Sequence, residues 1–157
     1  MMIYKNVPLM QLVLCLALAL GCSKGKHSSD QPAPMPKDFT IVFGEGGGVT
    51  GQWQGYTISA DGVVSNWQGR APGDNAQDAG KLSSKQMRQL WEQVHQTGAL
   101  TDSTRQHGNM TAFMKITAND STHEVSWVPG VGVKTSAASV QQLFQQCQSL
   151  ASQAKAN

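Results

Sequence analysis

The chain has 157 residues, 39% of them apolar and 14% charged, with 12 basic and 10 acidic side chains and a net charge of +2. So even a balance, with no basic cluster, leaves no electrostatic footprint for nucleic acid and no polybasic arm for a membrane surface. The length, once the N-terminal segment is set aside, fits one domain.

The N-terminal segment has the layout of an export signal. Lys5 supplies a positive start, and Leu12 to Leu20 (LVLCLALAL) is an unbroken apolar run. A helix that crosses a bilayer needs about 20 such residues, so this run suits a signal peptide instead. It ends in Ala19-Leu20-Gly21-Cys22. These residues resemble the lipobox of bacterial lipoprotein precursors, with Ala19 where that motif most often has leucine. The resemblance implies cleavage after residue 21 and lipid on Cys22. A single acyl chain holds a protein only marginally, whereas the several chains of a lipoprotein cysteine make a stable anchor. Ser23 follows the cysteine where an aspartate would signal retention, which by resemblance to Gram-negative sorting implies a lipoprotein of the cell envelope, on the outer membrane and in contact with the periplasm or the surface. Removing residues 1–21 takes away one lysine and leaves the chain almost neutral.

Residues 22–37 read as the lipidated cysteine and a flexible tether. They are polar and carry Pro32, Pro34 and Pro36 at alternate positions. Such a segment cannot bury a core, and its prolines favour extended backbone.

The domain is expected over residues 38–157. Phe39 to Phe43 alternates with large apolar groups and reads as a strand. A cluster of glycines follows at 44, 46, 47, 48 and 51, expected as an adaptable loop. Tyr56 to Ala60 alternates again. Asp61-Gly62 is a two-residue hairpin signal of type I′, and Val63 to Trp67 returns as its partner strand. Gly69 to Gly80 reads as a polar loop. Ser83 and Gln86 have capping-box spacing. Met87, Leu90, Trp91 and Val94 recur at helical spacing, and Gly98 ends the helix. Thr101 to Asn109 is a second polar loop. Thr111 to Ala118 is a strand with Ala112, Met114 and Ile116 on one face. Asn119-Asp120-Ser121 turns the chain into His123 to Val128. A last helix starts near Thr135 or Ser136 and carries Val140, Leu143, Phe144, Cys147, Leu150 and Ala151 on one stripe. The order β-ββ-α-ββ-α, with one apolar face per element, predicts an α+β two-layer sandwich: an antiparallel sheet of two hairpins plus an N-terminal strand, packed on two helices.

Cysteine use agrees with this division. Cys15 lies in the signal segment and Cys22 is the lipid site, so Cys147 is left without an intramolecular partner. On the apolar stripe of a helix it is expected as a small buried hydrophobe.

The motifs of catalysis are not recognisable. Gly46-Gly47-Gly48-Val49-Thr50-Gly51 formally fits G-x-G-x-x-G, but the dinucleotide fingerprint needs a helix after it, and here a strand follows. His27 falls in the tether, and His95, His107 and His123 lack metal-ligand spacing. Asp74 and Asp78 do not form an EF-hand pattern. Ser126 and His123 share a strand with opposite orientations, and Glu92 lies on the polar face of the first helix. No cofactor, metal site or catalytic set is therefore expected, and a hydrolase with dispersed residues is kept as the alternative. Trp91 and Trp127 belong to core faces, and Trp67 ends a strand. Trp53, in Gly51-Gln-Trp-Gln-Gly55, is the candidate contact aromatic.

Ile41-Val42 followed by Gly47-Gly48-Val49-Thr50-Gly51, then the helix with Leu90 and Trp91 and the hairpin through Phe113 and Val125, resemble emfourin-like domains. Those are small bacterial proteins whose namesake inhibits thermolysin-type metalloproteases. The segment with the Asp61-Gly62 hairpin is an insertion relative to that pattern. The resemblance implies that the glycine loop faces a partner. The expectation is a non-catalytic binding domain, a protease inhibitor among the options. Its partner would be an envelope protein or protease, met through Gly46, Gly47, Gly48, Gly51 and Trp53.

Overall fold

The computed structural model describes residues 33–131 and 135–154, with the side chains of 135–137 left aside. The predicted signal segment, Cys22 and most of the predicted tether lie outside the described residues.

Six strands and two helices follow in chain order: β1 (Thr40–Gly47), β2 (Gln52–Ser59), β3 (Val63–Gly69), β4 (Gln77–Lys81), α1 (Ser84–Gln96), β5 (Met110–Ala118), β6 (Ser121–Trp127) and α2 (Thr135–Ala154). The strands form one antiparallel sheet in the order β4-β3-β2-β1-β5-β6. β1 is central because it pairs along its whole length with both β2 and β5. The two-layer α+β sandwich expected from the periodicity is the fold.

The core lies between the sheet and the helices. Ile41 and Phe43 of β1, Ile58 of β2, Val64 of β3, Met114 and Ile116 of β5, and Val125 and Trp127 of β6 point to one face. They meet Met87, Leu90, Trp91 and Val94 of α1 and Val140, Leu143, Phe144, Cys147 and Ala151 of α2. Phe144 sets its ring edge-on to Phe43 and to Trp127, with centroids 5.6 and 5.2 Å away. Cys147 is fully buried, and loss of hydration pushes its thiol pKa up to about 12. It behaves as the small hydrophobe its place on the stripe suggests.

α1 begins as its sequence dictates. The Ser83 hydroxyl accepts from Gln86 N at 3.3 Å, and the Gln86 side chain accepts from Ser83 N at 2.9 Å, which completes the capping box. Thr97 caps the C-terminus, and Gly98 follows with φ +68°, in the left-handed region. Described residues ahead of β1 also pack on the domain. The Trp91 indole N–H donates to the Ala33 carbonyl at 2.6 Å, and Met35 packs against the core.

Two local expectations are corrected. The Gly69–Gly80 segment is not all loop, because β4 begins within it and pairs with β3 across a register shift at Val64/Ser65. β4 reads QDAGK, and only Ala79 is buried, so it carries no apolar alternation that a sequence could reveal. The Asp61-Gly62 turn is not type I′, since Gly62 has positive φ (+84°) and Asp61 does not. Three residues, Ala60 to Gly62, link β2 to β3, and Gly62 N donates to Ser59 O at 2.8 Å. This is the longer hairpin with glycine at its left-handed position. The turn with positive φ at both central residues is Asn119-Asp120 (+52° and +59°), between the paired Ala118 and Ser121.

That second turn is clamped from outside. The Asp38 carboxylate accepts from Asp120 N at 2.7 Å and Asn119 N at 3.0 Å. The Asp120 amide, seconded by that of Asn119, holds the Asp38 carboxyl below its ordinary pKa. A carboxylate with a depressed folded-state pKa stabilises above the unfolded value, and the contribution disappears as pH falls through the folded value. Asp38→Asn is therefore expected to melt earlier than the parent at pH 7. The gap should close progressively as pH falls below about 4, where the unfolded-state carboxyl itself protonates. Paired thermal melts across pH 2–7 check this.

Candidate functional site

The glycine cluster divides into two parts with different structural roles. Gly44, Gly46 and Gly47 belong to β1 and are not loop residues. On the helix-free face of the sheet each strand glycine stands opposite an aromatic side chain. Gly44 pairs with Phe113, Gly46 with Trp53 and Gly55 with Trp67. A Cβ at Gly46 would come 2.6 Å from Trp53 Cδ2, and one at Gly55 would come 2.5 Å from Trp67 Cζ2. The rings lie on bare backbone, so glycine is needed for close approach, as in-strand glycines often are. Trp53 meets Phe113 edge-on at 5.7 Å, and Trp67 lies tilted on Phe113 at 6.1 Å. Trp67 and Phe113 are buried, yet neither belongs to the helix-side core. They make a second, smaller cluster on the opposite face. Trp53 is half-buried within it.

The turn itself is Gly48 to Gly51. Gly51 N donates to Gly48 O at 3.3 Å, and Gly48 N donates to Asn109 O, which ties the turn to the start of β5. Gly47, Gly48 and Gly51 have φ of +109°, +67° and +61°, a backbone that side-chain-bearing residues resist. Val49 sits fully exposed at the tip. Gly48 also faces Met110, the first residue of β5 and partly exposed. Val131, also exposed, follows the end of β6 at this same end of the sheet, since Gly47 pairs with Met110 and Ala112 with Trp127. The described large apolar residues that are exposed are these three.

Of the expected contact residues, then, Gly48 and Gly51 form the turn and Gly47 ends β1 beside it, while Gly46 and Trp53 lie below it on the helix-free face. What the sequence reading missed is the register. The alternation of glycine and aromatic in Gly44, Gly46, Trp53, Gly55, Trp67 was a visible signal, but the partner of each was fixed only by strand pairing.

A small cleft of about 130 Å³ lies on the same face. Trp53, Phe113 and Pro72 form its apolar side, and His107, Glu124 and Ser126 line it together. Ser126 is buried, and its hydroxyl has no hydrogen-bond partner among the described residues. His123 is on the opposite face, paired with Ile116. His95 is exposed on α1, its ring edge-on to Trp91. Glu92 is likewise exposed, as are Asp78 and the rest of the 69–78 segment apart from Gly69 and Asp74. Asp74 Oδ2 accepts from Arg70 N and Ala71 N, each at 2.9 Å, so this carboxylate builds its own loop. Among the described residues no three His, Cys, Asp or Glu side chains gather as metal ligands, and no helix is long and apolar enough to cross a membrane.

Compared with known protein families and with curated proteins, the sequence matches none.

Proposed function

We propose that the chain is a lipid-anchored envelope lipoprotein, held through Cys22, whose α+β domain is a non-catalytic binding module that meets a protein partner through the Gly48–Gly51 turn. The observation that carries this reading is Val49: an apolar side chain fully exposed at the tip of a turn tied back to the sheet by Gly48 and Asn109. A preorganised tip loses little conformational freedom on binding, and an apolar anchor at its centre is what a partner pocket would fill. Met110 and Val131 extend the apolar surface at that end. The emfourin-like pattern makes a thermolysin-type metalloprotease the first partner to test. The signal layout and Ser23 support the anchor and the outer-membrane location.

Val49→Asp is expected to weaken partner capture at least tenfold without lowering the melting temperature, since the side chain touches solvent only. Crosslinking in cells, followed by mass spectrometry of wild type and variant, is the check. Equal recovery of the same partners by both proteins would remove the turn from the interface. Metabolic labelling with a fatty acid, lost in Cys22→Ala, tests the anchor separately.

A second reading draws support from one observation, the gathering of His107, Glu124 and Ser126 in the small cleft. Hydrolysis there would need Ser126 deprotonated by a hydrogen-bonded base, and the Ser126 hydroxyl has no such contact among the described residues. Covalent labelling by a fluorophosphonate, abolished in Ser126→Ala, would favour the hydrolase; an unlabelled wild-type protein would leave the binding module.

A further inference from the structure

A cleft also lies on the helix-bearing side of the sheet. The face that carries the core does not stay apolar along its whole length. Ile41, Ile58 and Val64 form one apolar cross-strand row across β1, β2 and β3, fully buried under the helices. The next row is Phe43, Tyr56 and Asn66, and the one after that is Glu45, Gln54 and Gln68. Phe144 of α2 still covers Phe43, but beyond it Gln54 and Gln68 are exposed. Gln148, one turn beyond Phe144 on α2, lines the edge of the cleft that results. The cleft measures about 300 Å³, at the lower end of the range for small-ligand sites.

We propose that this cleft is a binding site for a neutral saccharide, one or two sugar rings in size. The lining carries four primary amides, one carboxylate and one phenol. Each amide is planar and offers two donors beside an acceptor, and the carboxylate offers acceptors alone. Such forks match the neighbouring hydroxyls of a sugar, each of which both gives and takes a hydrogen bond. Directly paired strands lie about 4.8 Å apart, so Glu45, Gln54 and Gln68 stand as a ladder of forks at a spacing comparable to the width of one pyranose ring.

The same lining argues against other ligands. Among the described residues no lysine, arginine or histidine borders the cleft, so an anion finds no counter-charge there. A lipid or a drug-like ligand needs mostly apolar walls, and on this face only Phe43 and the ring of Tyr56 provide them, since the Trp67 ring lies on the opposite face. An extended peptide recognised by strand addition needs a free sheet edge. The cleft sits over β1 to β3, which are all interior strands of the sheet.

The experiment titrates the full-length protein with maltotriose, cellotriose and triacetylchitotriose while following the side-chain amide signals of Gln54, Asn66, Gln68 and Gln148 by NMR. Trialanine and a sulfated disaccharide serve as peptide and anion controls. At least one neutral trisaccharide is expected to shift these signals with a Kd on the order of 1 mM. Gln54→Ala and Gln68→Ala, both at exposed positions, are each expected to weaken binding about tenfold through loss of hydrogen bonds. Val49→Asp is expected to leave it unchanged, so the cleft stands or falls independently of the turn. No shift with any of the three sugars at about 20-fold that Kd would overturn the proposal. Tighter binding of either control, or sugar binding that survives both glutamine substitutions, would overturn it equally.

Discussion

Gly55→Ala is expected to lower stability by about 3 kcal/mol, at the top of the usual cost of overpacking, and the melting temperature by on the order of 10 °C. The added methyl group would meet Trp67 Cζ2 at 2.5 Å, Gly44 Cα at 2.7 Å and the Phe43 carbonyl oxygen more closely still. Two of those three neighbours are backbone of a fully paired central strand and cannot step aside. The third is a ring that is already buried. Gly51→Ala separates this cause from the other reason for glycine. Gly51 has φ +61°, and nothing lies within 4 Å of the place its methyl group would take, so its cost is that of left-handed backbone alone, about 1 kcal/mol. Chemical denaturation of the two variants should rank them in that order. In the double variant Gly55→Ala/Trp67→Leu the smaller side chain makes room, and the two losses should sum to more than the loss observed together. Equal losses for Gly55→Ala and Gly51→Ala would mean that the space beside Gly55 is not closed by β1 and Trp67.

Phe144→Ala is expected to cost about 3–5 kcal/mol, the range for removing a buried phenylalanine. Phe144 is 7% exposed, and its edge contacts reach Phe43 on the central strand and Trp127 on β6. It is the ring through which α2 grips the sheet on both sides of β5. Truncation would open a cavity that backbone on two elements must collapse to fill. Aromatic edge contacts add a further increment of about 0.5–1.5 kcal/mol per pair beyond area burial. The near-ultraviolet signal of Trp127 should weaken in the variant even where it remains folded. Gln145→Ala, next to it on the exposed side of α2, should be nearly silent in the same urea titration.

The order of strands and helices was legible in the sequence because its two periodicities are strong. Ile41 and Phe43, Ala112, Met114 and Ile116, and the helical stripes from Met87 and Val140 each declare one buried face. The Ser83–Gln86 box and Gly98 mark the limits of α1 through chemistry confined to a few residues. β4 was not legible, since QDAGK becomes a strand by pairing with β3 and not by its own preference. The hairpin turns show the same limit. Asp61-Gly62 carries the stronger local signal, yet the register of β2 on β3 leaves three residues to turn, so only Gly62 takes positive φ.

The candidate surfaces divide along that line as well. The glycine cluster from 44 to 51 marked a loop from composition, because few other residues tolerate left-handed backbone, but only Gly48 and Gly51 lie in the turn. The ladder of Glu45, Gln54 and Gln68, the glycine seats beneath Trp53, Trp67 and Phe113, and the meeting of His107 with Ser126 were not. Each joins residues from different strands or loops, and only register decides which residues stand opposite. What the sequence determined by itself is a fold class and a set of faces, through local periodicity and capping. What the tertiary structure decided is which side chains share a surface, because strand pairing and the reach of α2 are properties of the assembled sheet and not of any one segment.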